Sequence, residues 1–288
     1  MIPYYLLYVI VTTLLVTILA KKASNFKIIR KGAELTAALV SVLNVIPGIV
    51  HFLVYTFFVC TSSAITKIGK NIKLKLGVGT DIHGRTAAQI IAVGLLPGLF
   101  GTLSFTTYML GFYAMAHSLL IAALSMIATS NADTWASEIG VLYRGKPRLI
   151  LNPLIRAETG TSGAVSFLGL LASIAGATSV ALLATSLAYL PHMVLLAPEF
   201  TDLECSPLKM MTIVTVSGFA GELADSVLGL ILQEKRQCLK CGIICETEKH
   251  CSVDTVALWG FKCVKGEHIN LLSQLFAGAL SMLMLKFT

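Results

Sequence analysis

The feature that most restricts this chain is the length of its uncharged, apolar runs. Residues 35–66 hold no Asp, Glu, Lys or Arg, and neither do residues 86–128. A helix needs about 20 apolar residues to cross a hydrocarbon core, and inside a bilayer only helices and closed barrels satisfy their own backbone. Charged residues make up only 13% of the chain, against roughly 25% in soluble domains. So few charges cannot clothe a soluble surface, and a 56% hydrophobic content excludes disorder. The expected fold is all-α: a polytopic transmembrane helical bundle of about eight spans, forming a single integral membrane domain over residues 1–288. The apolar runs place the spans at 3–20, 33–46, 49–66, 86–103, 107–128, 163–190, 208–232 and 269–286.

Two boundaries need an argument. Asn44, Pro47 and Gly48 make a turn between 33–46 and 49–66, and Gly101 to Ser104 are expected to split 86–128. Charge placement supports eight spans. Loops 21–32, 67–85, 129–162 and 233–268 then share one side and carry all 22 Lys and Arg residues except Lys209 and Lys286. The other side carries an acidic loop with Glu199, Asp202 and Glu204. The positive-inside rule puts the four basic loops in the cytosol and both termini on the non-cytosolic side. Lys21 and Lys22 follow the first apolar run instead of preceding it, which reads as an uncleaved anchor and not a signal peptide.

Carboxylates near or inside spans are the strongest chemical signal, because charge there is costly and kept for function. Asp133 and Glu138 lie in SNADTWASEIG, and Glu222 and Asp225 lie in GFAGELADSVLGLILQ, on one helix face. The triplets Ala132-Asp133-Thr134 and Ala224-Asp225-Ser226 echo each other. A structural buried network with Asn131, Thr134, Ser137 or a basic partner is the plainer alternative. GTSGAVSFLG, residues 160–169, is expected to open a helix and to offer Thr161, Ser162 and Gly163 backbone N–H groups to phosphate. It is not a P-loop, since no Gly-Lys-Ser/Thr follows. Lys67, Lys70 and Lys73 should line one helical face, and Lys67, Arg85 and Gln89 border the membrane closely enough to meet phosphate. The other basic residues read as topology determinants facing anionic lipid, with no nucleic-acid partner expected. Trp135 and Trp259 fit an interfacial aromatic belt.

Five of the seven cysteines lie in the 233–268 loop. Cytosolic thiols stay reduced, so a metal is weighed before a disulfide. Cys238 and Cys241 form C-x2-C, with His250 and Cys251 nine residues on. Zinc held by Cys238, Cys241, Cys251 and either Cys245 or His250 would form a closed structural knuckle; unmetallated thiols are the alternative.

The segments TSSAITKIGKNIK, GRTAAQ, SNADTWASEIG, GTSGAVSFLGLLAS and ELADSVLGLILQ, followed by Trp259 and Asn270, together resemble the transmembrane protein 19 family. The plant phytyl-phosphate kinase of tocopherol synthesis is similar. The resemblance covers roughly residues 30–285, with DTWASEIG and GTSG its specific parts. It implies a membrane kinase for a polyprenyl or phytyl monophosphate that uses a nucleoside triphosphate, CTP in the plant pathway. The Cys-rich loop looks like the animal and fungal branch and departs from the plastid enzyme. An endomembrane such as the endoplasmic reticulum is the expected location.

On the physical reading, Asp133, Glu138 and Asp225 would hold Mg²⁺, which takes one or two carboxylates plus phosphate oxygens. Glu222 would orient a ligand or a base. A transporter or lipid scramblase is the main rival, and a non-catalytic scaffold the third reading. The separating observation is whether Asp133, Asp225 and the GTSG turn converge.

Overall fold

The computed structural model describes residues 2–76, 84–190 and 205–287; the acidic loop with Glu199, Asp202 and Glu204 lies outside them. Among the described residues the helices are α1 (Ile2–Asn25), α2 (Glu34–Val45), α3 (Ile49–Lys67), α4 (Lys70–Leu76), α5 (Ala87–Met109), α6 (Tyr113–Gly140), α7 (Phe167–Ala188), α8 (Pro207–Leu232) and α9 (Gly266–Phe287). Seven are long and apolar enough to cross a membrane. The exceptions are α4 and α2; the 12 residues of α2 reach only about 18 Å at 1.5 Å per residue.

The turn at Pro47 and Gly48 falls where expected, and Gly48 takes φ 113°, a conformation open mainly to glycine. The expected break at Gly101 to Ser104 does not occur. α5 runs on to Met109, and the chain turns at Gly111, φ 84°. The small residues of α5 serve packing instead of turning. A Cβ on Gly98 would stand 2.8 Å from Leu43, and one on Gly101 2.6 Å from Pro47. Small residues let membrane helices approach this closely.

These contacts fix the hairpin geometry. α2 runs alongside α5 from Val40 by Gly94 to Pro47 by Gly101, and α3 returns past Gly94 at Tyr55 to Arg85, which lies 5.5 Å over Phe58. The hairpin therefore turns beside the middle of α5, and the last carbonyls of α2 end within the bundle. Buried helix ends need partners. Tyr8 Oη donates to the Val45 carbonyl at 3.2 Å and Tyr5 Oη to that of Ile46. Asn44, fully buried, donates to the Gly94 carbonyl at 3.0 Å and bonds His51 Nε2 at 3.0 Å.

α6 is the central helix. It packs against α3, α5, α7, α8 and α9, and residues from Ala116 to Thr134 are mostly buried. Gly176 of α7 meets it at Ala132 and Gly218 of α8 at Ala128. Buried Asn131 ties three helices together: it donates to the Gly176 carbonyl at 2.9 Å and accepts from Thr61 at 3.1 Å.

Outside the helices, two small antiparallel sheets cover one end of the bundle. The first has β1 (Arg148–Leu149), β2 (Asn152–Arg156) and β3 (Ala164–Val165) in the order β2-β1-β3. The second has β4 (Lys235–Cys238), β5 (Ile244–Cys245), β6 (Lys249–His250) and β7 (Val253–Trp259) in the order β5-β4-β7-β6. The stretch expected as a Cys-rich loop is thus a sheet, with Arg236 opposite Ala257. An isolated bridge, Ala157 to Ile244, joins the two sheets. Tyr5, stacked 4.8 Å from Phe105, and Lys286, which shares a cavity with His117 and Cys205, both lie at the opposite end.

Candidate functional site

α6 and α8 run in the same direction and end beneath the sheets. They bring Asp133, Glu222 and Asp225 to one cavity of about 190 Å³. The segment Thr159–Ser166 forms its lip, and Ser137, Gly169 and Ser226 complete the wall. Asp133, Asp225 and the GTSG turn therefore converge. Asp133 lies close enough for its charge to act on both carboxylates of α8.

Serine hydroxyls hold the two carboxylates of α8. Ser173 of α7 donates to Glu222 Oε2 at 2.9 Å, and Ser226 donates to Oε1 at 3.3 Å. Ser273 of α9 donates to Asp225 Oδ2 at 3.0 Å. Sequence reasoning missed all three, because a serine in a membrane helix also fits as a small packing residue. No Lys, Arg or His is among the described residues that line the cavity. Three carboxylates facing one cavity, two of them held by serine hydroxyls, are a donor set for a hard cation such as Mg²⁺.

The lip departs from expectation. Residues 160–163 do not open a helix; they form a turn leading into β3. α7 begins at Phe167, with Ser166 as its cap accepting from the Gly169 N–H at 3.1 Å. The positive end of α7 nevertheless faces the cavity through Ser166 and Gly169. Two expected phosphate donors are occupied: the Thr161 N–H bonds the Glu158 carbonyl at 3.1 Å, and the Ser162 N–H bonds Glu246 Oε1 at 2.9 Å. Gly163 takes φ +78°, and a Cβ there would come within 2.7 Å of the Ser226 carbonyl. Glycine thus lets the lip rest directly on α8.

Glu138 is not in this cavity. It points to the other side of α6, where Lys73 Nζ lies 2.5 Å from Oε2 and Thr66 donates to Oε1 at 3.2 Å. Lys73 is almost fully buried and also donates to the carbonyls of Ile65 and Thr66 at the end of α3. The three lysines do not share one helical face, because the helix breaks at Ile68 and Gly69, φ 67°. Lys67, Lys70 and Arg85 line a second groove of about 290 Å³ with Phe26, Lys27, Ile28, Ser63 and Thr66. Gln89 belongs to neither site; it closes a capping box with Thr86 at the start of α5.

The Cys-rich sheet braces the lip. Lys235, fully buried, donates to the Gly229 carbonyl at 2.8 Å and to Glu246 at 2.7 Å, and Glu246 holds the Ser162 N–H. The lysine thus neutralises the C-terminal end of α8. Trp259 does more than sit in a belt: its indole N–H donates to the Leu230 carbonyl at 2.8 Å. The ligand atoms of Cys238, Cys241, His250 and Cys251 all lie within 4.8 Å of one another. Cys245 lies apart from them, its thiol near the Thr247 carbonyl at 3.8 Å. Burial pushes the Cys238 thiol up, but hydrogen bonds from the Cys241 amide, the His250 ring and the Lys240 amide outweigh it and hold the thiol at about 6.

The profile of the family described as integral membrane protein DUF92 matches residues 13–278. An uncharacterised membrane protein of Methanocaldococcus jannaschii is 29% identical over 188 residues, covering 65% of this chain and 67% of that protein. Protein PGR of Arabidopsis thaliana is 27% identical over 218 residues, covering 71% of this chain and 73% of that protein. No solved structure matches the chain. The profile covers nearly the whole bundle and both sheets, so this multi-pass protein of the lipid bilayer belongs to the DUF92 family of integral membrane proteins.

Proposed function

We propose that this protein transfers a phosphoryl group from a Mg²⁺-bound nucleoside triphosphate, CTP or ATP, to an isoprenoid lipid monophosphate at the sheet-covered end of the bundle. The observation that carries this reading is the convergence of Asp133, Glu222 and Asp225 with the Thr159–Ser166 lip and the N-terminus of α7 in one cavity. A cavity of about 190 Å³ is smaller than the roughly 300–1,000 Å³ of small-molecule pockets. It suits an ion and phosphate groups, with the base and the lipid tail held elsewhere.

Asp133 and Asp225 would hold Mg²⁺, with Glu222 steadied beside them by Ser173 and Ser226. Glu138 leaves the metal set, being engaged by Lys73. When bound, the ion would neutralise charge on the transferring phosphates. Lys67, Lys70 and Arg85 present a cationic groove at the same end of the bundle, suited to a second phosphate. An oxygen of the lipid phosphate attacks the terminal phosphorus. The bond to the leaving nucleoside diphosphate breaks, and a lipid diphosphate forms. The attacking oxygen is already ionised near neutral pH, so no strong general base is needed. The lip and Gly169 border the reacting end.

Purified protein given CTP or ATP with Mg²⁺ and C15 to C20 prenyl monophosphates should form the lipid diphosphate. If no nucleotide is consumed with any of these lipids, the kinase reading is wrong. One feature favours a carrier instead: the cavity has no basic wall residue among those described, as a cation path would. Flux across proteoliposomes without nucleotide would establish that reading.

A further inference from the structure

The sheet that follows α8 contains a cluster that neither membrane crossing nor the carboxylate cavity requires. Cys238 ends β4, and the turn after it is closed by the Gly242 N–H on the Cys238 carbonyl at 2.8 Å. His250 ends β6, and Cys251 follows with φ +51°. Cys251 and Ser252, φ +61°, form the two-residue turn from β6 into β7, a hairpin type that takes positive φ at both positions. This turn carries Cys251 beside Cys238 and Cys241.

The distances suit one tetrahedral ion. The four ligand atoms lie within 4.8 Å of one another, and Cys241 Sγ stands 3.4 Å from His250 Nδ1. With Zn–N near 2.0 Å and Zn–S near 2.3 Å, neighbouring ligands of a tetrahedral zinc stand about 3.5–3.8 Å apart. The other ring nitrogen, Nε2, lies 3.2 Å from Glu158 Oε1. A metal-bound histidine ordinarily donates that second N–H to a carboxylate or carbonyl, which sets its tautomer and angle. Lys146 lines the adjoining cavity with Glu158 and His250 and offsets the negative charge of three thiolates and a carboxylate.

We propose that Cys238, Cys241, His250 and Cys251 bind one Zn²⁺, that Glu158 positions the His250 ring through Nε2, and that the site anchors the lip of the carboxylate cavity. The anchoring follows from what lies next to the ligands. Glu158 precedes the lip residue Thr159, and its N–H bonds the Ile244 carbonyl of β5 at 2.9 Å. Two residues on, Glu246 holds the Ser162 N–H. Zinc would therefore clamp β4, β6 and Glu158 together, and the lip hangs from that clamp. The role is structural, since all four positions are filled by protein ligands.

The test uses the full-length protein, purified in detergent without chelator. Elemental analysis should find about one zinc per chain, and Cys241→Ser or Cys251→Ser should lower it at least tenfold, while Cys245→Ser retains it. Cobalt exchanged into the wild type should show thiolate-to-cobalt charge-transfer absorption, a readout independent of any phosphotransfer and of variant folding. Glu158→Gln should keep the metal but yield it to a competing chelator about 10–100-fold more easily. Stripping the zinc should speed amide hydrogen exchange at Thr161 and Ser162. Zinc-free wild type with a disulfide among these cysteines would overturn the site. Equal metal loss in Cys245→Ser and Cys241→Ser would overturn the ligand set. Resistance to the chelator equal to wild type in Glu158→Gln, or unchanged exchange in the stripped protein, would overturn the positioning and the anchoring respectively.

Discussion

Asp133 and Glu138 stand five residues apart on the last turns of α6, yet they live in opposite surroundings. Glu138 meets a buried ammonium at 2.5 Å and a threonine hydroxyl. Asp133 opens onto a cavity whose other acids are steadied by serines, with no basic residue in its described wall. A carboxylate that finds its cation within the chain helps lock α3 and α4 onto α6. The acids of α8 are held instead by serine hydroxyls, in a cavity shared with Asp133 and proposed to take a cation from outside. The two faces of one helix therefore divide structure from proposed chemistry.

The comparison can be broken most sharply on the cavity side. Asp225→Asn and Asp133→Asn should each lower phosphotransfer turnover by at least about 10²-fold while the folded, monodisperse protein is retained. Equal turnover by these variants and the wild type would remove both residues from the metal role. On the other face, Glu138→Gln should destabilise by about 3 kcal/mol, because it leaves Lys73 charged and unpaired in a buried place. Thermal unfolding in detergent reads this. Glu138→Leu combined with Lys73→Met should recover most of the loss, since a buried ion pair can often be replaced by apolar packing. If the double variant stays as unstable as the single one, the pair is not the source of the loss.

Smaller effects sharpen the contrast. Ser273→Ala removes the hydroxyl that donates to Asp225 and should cost about 1–2 kcal/mol of transition-state stabilisation, roughly a tenfold fall in turnover. Lys67→Gln leaves the cavity intact, so it should raise KM for the lipid phosphate severalfold, by up to about 1 kcal/mol of an exposed charge contact, with little change in kcat. An effect confined to kcat would place Lys67 in the chemistry and blur the division.

The membrane fold was largely legible, because the apolar runs and the scarcity of charge leave a long chain few alternatives. The turn at Pro47 and Gly48 could be read, and the break after Met109 could not. Gly101 and Ser104 carry the residue types of a turn, but in a membrane helix the same types mark close packing, and Gly101 packs on Pro47. The acids of the candidate site could be read one by one, and so could their approach to the GTSG turn. Their sorting could not. Lys73 sits in a regular Lys67-Lys70-Lys73 series, and only the break at Gly69 sends it inward to Glu138 while the other two line a groove. The sheet over residues 235–259 was hidden for a different reason. β5 and β6 hold two residues each, β4 reads Lys-Arg-Gln-Cys, and β7 ends in an unbroken Val-Ala-Leu-Trp run, so none shows the apolar alternation by which a half-buried strand is read.

The short hairpin has a consequence for the first helix. α1 carries many outward-facing leucines and isoleucines and would pass for a detachable anchor. Yet Tyr5 supplies its hydroxyl to the Ile46 carbonyl just past α2, beside the middle of α5, and Tyr8 adds a second donor to the Val45 carbonyl, which the Gly48 N–H already bonds at 3.0 Å. α1 thus acts as the lid of an unfinished helix. A tag or deletion that draws it away would strip the Ile46 carbonyl of its hydroxyl donor inside the bilayer.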